Sequence, residues 1–311
     1  MRHIFTPLIS ASLCLAFLVS ACEKKTNDGK MHYPETFRGT VSSNYFGTTV
    51  ADPYRWLEQE NDPEVKNWVL AQNEATQGYL GNIGFRDSIF NRMKEIWNYP
   101  KYSVPTKHGA HFFYYKNDGL QNQSILYKQT GLNGKAEVFL DPNKLSKDGT
   151  TAISGIYFSN DNKYMTYSVS KAGSDWNEFY TKDVETGEQL KDELKWIKFS
   201  GAAWFKNGFF YTRYPEPKGD DALSGQNTDS KIYYHELGKP QAEDKLIFEY
   251  PKNKLVGLGA STTHDEKHLL IYLSEGATDN SALYYKDLTK DNAPVVPIVD
   301  NFDNLYSVID D

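Results

Sequence analysis

The sequence predicts a mainly β protein: four blades of a β-propeller and the start of a fifth, preceded by two helices. Three observations predict it. Aromatic residues make up 14% of the 311 positions, with 22 Tyr and 17 Phe against four Met. That composition suits pleated, half-buried surfaces. Alternating runs such as "HFFYYKN", "YMTYSVS", "GFFYTRY" and "HLLIYLS" read as strands from about residue 105 onward. An apolar residue followed by Tyr recurs at Leu126-Tyr127, Phe179-Tyr180, Ile232-Tyr233 and Leu283-Tyr284, with the tyrosines 53, 53 and 51 residues apart. Each pair is followed by a polar turn: "KQTGLNGK", "TKDVETGE", "YHELGKPQ" and "YKDLTKDN". A unit of about 50 residues matches a four-stranded propeller blade. A β-sandwich with coincidental spacing is the competing fold. Four units fit between residues 105 and 300, and "FDNLYSVIDD" reads as the start of another. An open ring leaves two bare strand edges, so the ring either closes at four blades with a short tail or is cut.

From the N-terminus, residues 1–22 read as a lipoprotein signal peptide. Arg2 and His3 precede an apolar run from Leu8 to Val19 and then small residues, too short for a membrane-spanning helix of about 20 apolar residues. Val19-Ser20-Ala21-Cys22 resembles a bacterial lipobox, which makes Cys22 the expected lipidation site and the cell envelope the expected location, facing the periplasm or the cell surface. Cleavage near Ala21 with a free Cys22 is the ordinary alternative. Residues 23–32 read as a polar tether. Of the two cysteines, Cys14 leaves with the signal and Cys22 takes the acyl chains, so the mature chain has no disulfide.

Residues 33–104 form an N-terminal arm and two helices. The arm, "YPETFRGTVSSNYFGTTVADPYRWLE", is punctuated by Gly39, Gly47 and Pro53. A helix over 62–80 starts at the N-cap Asp62 with Pro63 at its first position. Val65, Trp68, Val69, Gln72, Ala75 and Tyr79 fall on one stripe of it. A second helix, about 86–98, carries Ile89, Phe90, Met93, Ile96 and Trp97 as its face to bury, and "NYP" ends it. Two helices and an arm are too little for a core of their own. The partial propeller, 105–311, follows.

The net charge of −7, from 34 basic and 41 acidic residues, argues against a nucleic-acid partner. No catalytic residue can be assigned. "GLGAST" (257–262) lacks the spacing of a nucleophile elbow, and neither a Gly-rich phosphate loop nor a Cys-x-x-Cys is present. "HDEKH" places His264 and His268 four apart but between strand-like flanks, so a polar β-turn is expected rather than a metal site. His108 and His111 read as surface or satisfied core residues. Asp220-Asp221 and Asp310-Asp311 read as solvated charges, and Asp175-Trp176 as aromatic packing at a blade edge. No metal and no cofactor are expected, and the substrate-binding residues are undefined.

"DPYRWLE" (52–58), "PKYSVP" (100–105), "YYKNDGLQNQSILY" (114–127), "VFLDPNKLSKDGT" (138–150), "FSNDNKYMTYSVSKAGSDWNEFYTKDVETGE" (158–188), "WIKFSGAAW" (196–204), "KIYYHELG" (231–238) and "VDNFDNLYSV" (299–308) resemble the prolyl oligopeptidase family of serine peptidases. The resemblance runs from about Tyr33 to the last residue. It implies an α/β-hydrolase domain capped by a seven-bladed propeller that admits short proline-containing peptides, which are cut after proline. It also implies that the N-terminal helices pack on the hydrolase domain, and that this chain holds four blades and the start of a fifth of an expected seven. The family's Ser, Asp and His lie in a C-terminal portion without counterpart here, so no catalytic residue carries over and the chain alone is expected to be inactive. "SEGATD" (274–279) aligns with a region that faces substrate in some relatives, but Ser274 and Ala277 offer neither charge nor thiol. A membrane-anchored, non-catalytic propeller that binds partners is the alternative function.

Overall fold

The computed structural model describes residues 32–218, 222 and 225–309. The expected signal segment with Cys22, nearly all of the tether, and the pairs Asp220-Asp221 and Asp310-Asp311 lie outside these residues. The chain divides into two compact units, one ending at Arg86 and one beginning at Asp87.

In the first unit, β1 (Ser42–Tyr45) and β2 (Thr48–Ala51) form a hairpin. Its turn, Phe46-Gly47, has φ of 52° and 89°, and the Gly47 N–H donates to Asn44 Oδ1 at 2.9 Å. Helix α1 (Pro63–Gly81) begins as expected, with the Asp62 carboxylate accepting from the Glu64 N–H at 2.7 Å. The arm is held against α1 by two indoles. Trp68 Nε1 donates to Thr36 Oγ1 at 2.9 Å and Trp56 Nε1 to the Phe37 carbonyl at 3.1 Å. The two indole rings meet edge to face at 6.5 Å. Val65 is the one fully buried residue of the helix, while Val69 and Tyr79 on the same stripe stay exposed.

Helix α2 (Arg86–Trp97) forms where expected, but its apolar face is not covered. Ile89, Phe90, Met93, Ile96 and Trp97 are between 52% and 65% exposed. The reason is that the apolar cores of this unit are filled by residues of the strands and of the turns and connectors beside them, and none takes a side chain from α2.

Four antiparallel sheets follow. The first contains β3 (Lys101–Tyr102), β4 (Thr106–His108), β5 (His111–Asn117), β6 (Ile125–Thr130) and β7 (Ala136–Leu140). Both β3 and β4 pair with β5, as one strand interrupted at Pro105; the Ser103 hydroxyl accepts from the Tyr115 N–H at 2.9 Å across the break. The second is β8 (Thr151–Phe158), β9 (Tyr164–Lys171), β10 (Asn177–Asp183) and β11 (Gln189–Ile197). The third is β12 (Ala203–Phe205), β13 (Gly208–Arg213), β14 (Lys231–Glu236) and β15 (Lys245–Glu249). The fourth is β16 (Val256–Thr262), β17 (His268–Glu275), β18 (Ser281–Asp287) and β19 (Val295–Val299). Each is a meander of consecutive strands, as propeller blades are.

The recurrent apolar-Tyr pair sits on the third strand of every sheet and has a directional meaning. Leu126 packs forward onto the second sheet with Met165, Tyr167 and Val169. Phe179 packs onto the third with Trp204 and Phe209, and Ile232 onto the fourth with Leu269 and Ile271. The tyrosines face backward: Tyr180 joins the core with the first sheet, Tyr233 that with the second and Tyr284 that with the third. At or beside each pair the ladder to the fourth strand shifts register, and in the first, third and fourth sheets the extra residue lies on the fourth strand, at Phe139, Ile247 and Ile298. A second repeat is conformational. Gly109, Asn162, Lys206 and Glu266, with φ of 61°, 58°, 51° and 57°, each stand two residues before the second long strand of their sheet.

Three cores join four sheets, so the arc is open. The backward face of the first sheet is a ladder of Tyr102, Tyr114 and Tyr127, the last two stacked at 5.8 Å, with Lys116 Nζ 5.9 Å from the Tyr102 ring and 5.7 Å from the Tyr127 ring. The forward face of the fourth carries Leu270 and Leu283. Beside it, residues 300–309 form no strand but run along Ser281, whose N–H donates to the Asn304 carbonyl at 2.9 Å.

Phe179 is 0% exposed at the junction of the second and third sheets. Phe179→Ala should cost about 3–5 kcal/mol, from lost burial and the cavity left behind. Val138→Ala, on the exposed backward face of the first sheet, should cost well under half as much. Urea titration followed by tyrosine and tryptophan fluorescence measures both.

Candidate functional site

In a four-stranded meander, the loops from second to third strand and the connectors between sheets emerge at the same end. Three segments with unusual sequence lie there. In "KNDGLQNQS", Asn117 accepts from the Gly119 N–H at 2.9 Å and donates to the Gln121 carbonyl at 3.0 Å, while Gln121 accepts from the Asp118 N–H at 2.9 Å. Side-chain amides thus replace a strand ladder, which is why those residue types occur together. In "GSDW", Ser174 Oγ accepts from the Trp176 N–H at 3.1 Å and sets the indole's direction. "SEGATD" forms the corresponding turn of the fourth sheet, with Ser274 and Ala277 exposed.

Trp176 organises an aromatic and cationic cluster between the second and third sheets. Its ring meets Trp196 edge to face at 5.6 Å and Tyr214 at 6.1 Å, and its Nε1 donates to the Ala222 carbonyl at 2.6 Å. The expectation of aromatic packing for Asp175-Trp176 therefore holds. Above the indole lies Lys198, 6% exposed, with Nζ 4.0 Å from the ring centroid and 3.0 Å from Asn227 Oδ1. Burial pushes its pKa down, against the pull of Asp175. Trp176, Tyr214, Pro215, Pro217 and Asn227 line a cavity of about 220 Å³ beside this cluster.

The end of β11 and its connector to β12 are strained. Trp196 and Phe199 hold φ of 61° and 52°, positions unusual for bulky residues and costing on the order of 1–3 kcal/mol each. The conformation is clamped by the Tyr214 N–H to the Trp196 carbonyl at 3.0 Å and the Thr212 N–H to Ser200 Oγ at 2.8 Å. Its result is that Phe199 stands 71% exposed at the same end of the sheets as Trp176. A cavity walled by Trp176 and Tyr214, with Phe199 exposed at the same end of the sheets, can hold an apolar or ring-bearing segment. It cannot by itself do acyl-transfer chemistry.

The imidazoles are engaged structurally. His235, on β14, lies between Asp244 (Nδ1 to Oδ1, 2.7 Å) and Asp192 (Nε2 to Oδ1, 3.0 Å), and all three side chains are fully buried. No serine hydroxyl joins this triad; Asp244 instead accepts from Tyr211 OH at 2.6 Å and Asp192 from the Gly238 N–H at 2.6 Å. Burial favours the neutral ring, but the two carboxylates outweigh it and raise the pKa of His235 to about 9. His111, 8% exposed at its side chain, bridges Thr130 Oγ1 at 3.1 Å and Glu185 Oε2 at 2.9 Å. Glu185 is 83% exposed, so nothing excludes water there, and the contact ties the first sheet to the second. His108 stacks on Phe158 at 3.7 Å, and burial lowers its pKa. "HDEKH" is the tight turn from β16 to β17 that its flanks suggest, with Asp265 accepting from the Lys267 N–H at 3.0 Å. Among the described residues no group of three or more His, Cys, Asp or Glu is placed to hold a metal.

Sequence reasoning singled out Trp176 but missed Lys198, Phe199, Trp196 and Tyr214. "WIKFSGAAW" alternates like a strand, and left-handed φ at Trp196 and Phe199 has no signature in residues that are neither Gly nor Asn.

Because the pKa of His235 rises from 6.5 unfolded to about 9 folded, its ion-pair stabilisation is complete below about pH 6.5 and lost as pH climbs through 9. The loss should be on the order of 3 kcal/mol. Denaturation midpoints at successive pH values between those limits should fall accordingly, and Asp192→Asn should flatten the profile.

A family model described as "Prolyl oligopeptidase, N-terminal beta-propeller domain" matches residues 34–311. The prolyl endopeptidase of Elizabethkingia meningoseptica is 41% identical over 300 residues, covering 96% of this chain and 42% of that protein. The prolyl endopeptidase of Dictyostelium discoideum is 30% identical over 340 residues, 90% of this chain and 45% of that one. Among solved structures, a prolyl endopeptidase aligns with TM-score 0.63 and 33% identity, over 90% of this chain and 40% of that one. Prolyl oligopeptidase B from Galerina marginata, bound to a 35mer hydrolysis and macrocyclization substrate, aligns with TM-score 0.78 and 29% identity, over 90% of this chain and 42% of that one. The chain spans about two fifths of the length of these relatives.

Proposed function

The chain belongs to the prolyl oligopeptidase family, and from that premise we propose that it is the N-terminal part of a serine endopeptidase that hydrolyses short peptides on the carboxyl side of proline. The observation that carries this reading is the apolar face of α2. Phe90, Met93, Ile96 and Trp97, with Leu120, surround an apolar groove of about 430 Å³. Covering such side chains is worth roughly 1.5–3 kcal/mol each, and a contiguous apolar patch on a protein surface marks an interface. The occupant is an α/β-hydrolase domain encoded by sequence beyond this chain, which also supplies the catalytic Ser, Asp and His. In the proposed whole enzyme the propeller gates entry of proline-containing peptides, and the end of the sheets bearing Phe199 and Trp176 is where a peptide would first be held. Chemistry of this kind needs no cofactor: an activated serine attacks the acyl carbon and water releases the product. Lipidation at Cys22 would tether the enzyme to a membrane of the cell envelope.

Two outcomes test the proposal. The purified 311-residue chain should not turn over a Gly-Pro amide reporter, while fusing the C-terminal hydrolase portion of a relative after Asp311 should restore turnover. Activity of the chain alone that survives removal of contaminating peptidases would overturn it. For the anchor, labelled palmitate should enter the wild-type chain and sediment with membranes, whereas Cys22→Ala should lose both the label and the sedimentation.

A further inference from the structure

We propose that the groove between the third and fourth sheets, at the end opposite Phe199, binds a small organic anion: a carboxylate or phosphate monoester carrying a flat apolar body. The groove measures about 410 Å³, within the usual range of small-molecule sites, roughly 300–1,000 Å³. Its apolar wall is aromatic. Phe205 and Phe210 stack at 5.8 Å, Tyr234 lies 5.0 Å from Phe210, and the Tyr234 hydroxyl is fixed by donating to the Phe205 carbonyl at 2.9 Å. Ile247 and Leu288 complete that wall.

Two ammonium groups in this space form no ion pair with the carboxylates that also line it. Lys245, exposed at the start of β15, makes no ion pair, and Lys286, half-buried on β18, spends one N–H on the Ala293 carbonyl and keeps two donors. Burial and then the charge of Lys245 lower the pKa of Lys286, against a smaller pull from Asp287, so the two lysines repel across the groove. The neighbouring acids are engaged elsewhere or stand apart. Asp244 turns inward to His235 and Tyr211, and Glu236 faces Lys239 at 3.7 Å. Glu243 and Asp291 are exposed and form no ion pair with either lysine. Of the other lysines that line the groove, Lys239 is matched with Glu236 and Lys290 with Asp287, while the Lys206 ammonium lies 4.8 Å from the centre of the Phe205 ring. An anionic head between Lys245 and Lys286 would replace repulsion with two charge-assisted hydrogen bonds, while its body lies on the Phe205–Phe210–Tyr234 wall. The site is built wholly within one compact unit and is independent of the peptidase reading.

The test is lysine acetylation of the full chain mapped by mass spectrometry. Millimolar phenyl phosphate should slow labelling of Lys245 and Lys286 severalfold and leave Lys252 and Lys254 unchanged. Inorganic phosphate should protect less, and neutral benzyl alcohol not at all. Lys245→Ala, an exposed substitution, should abolish the protection of Lys286 while the rest of the labelling map stays the same. Uniform slowing across all lysines, protection by inorganic phosphate equal to that by phenyl phosphate, or protection of Lys286 that survives Lys245→Ala would overturn the proposal.

Discussion

Everything in the propeller rests on sheets that cannot stand alone. A four-stranded sheet has two faces and no interior, and it gains a core only when its face meets the next sheet. The apolar-Tyr dipeptide on each third strand solves this for both faces at once. Leu126, Phe179 and Ile232 pack forward, and Tyr180, Tyr233 and Tyr284 pack back. Neighbouring side chains on a regular strand point to opposite faces, so the two members of the pair reach different cores, and the register shift beside them falls on the outermost strand. Burial alone would leave the angle between sheets loose. Polar groups fix it, each crossing from one sheet to the next. The Trp204 indole donates to the Tyr157 carbonyl at 3.0 Å, Thr212 Oγ1 to the Leu258 carbonyl at 2.9 Å and Thr262 Oγ1 to the Trp204 carbonyl at 3.0 Å.

The same arrangement explains why charged groups are found so deep. Lys128 is 5% exposed, yet its ammonium is surrounded by the Val184 and Glu185 carbonyls of the second sheet at 3.0 and 2.8 Å and by Glu137 Oε1 at 3.0 Å. His235 with its two aspartates does likewise between the second and third sheets. A buried charge whose partner sits on another sheet is costly unless the sheets meet at one spacing, so these groups specify geometry more than they add stability. At the other end of the sheets, the strain at Trp196 and Phe199 is tolerated because the flanking strands hold the connector in place.

Much of this was legible in the sequence. The 53, 53 and 51 residue spacing of the tyrosines marked one unit per sheet, and Asp62-Pro63 located the start of α1. Spacing reports where an element lies, but not which neighbour it packs against. Hence Ile89, Phe90, Met93, Ile96 and Trp97 marked a face to be buried, and that face is uncovered in the structure. The candidate site was least legible. Lys198 reads as an ordinary surface lysine, and only the fold brings it over Trp176. The turn residues Asn162, Lys206 and Glu266 share one backbone conformation with Gly109 but no common side-chain chemistry.

The open arc has a consequence for self-association. The backward face of the first sheet, with Tyr102, Tyr114 and Tyr127, and the forward face of the fourth, where Leu270 and Leu283 are already buried, correspond to the two halves of the interface that repeats inside the arc. A contact between them on separate molecules would be head-to-tail, and such contacts have no built-in stopping point unless the rotation per molecule closes a ring. Where no further sheet covers it, the surface that lets one sheet recruit the next along a chain would equally recruit a second copy. Lys116, over the tyrosine ladder and paired with Asp118 at 2.7 Å, places an ion pair on that surface, and its desolvation would tax any copy that docked there.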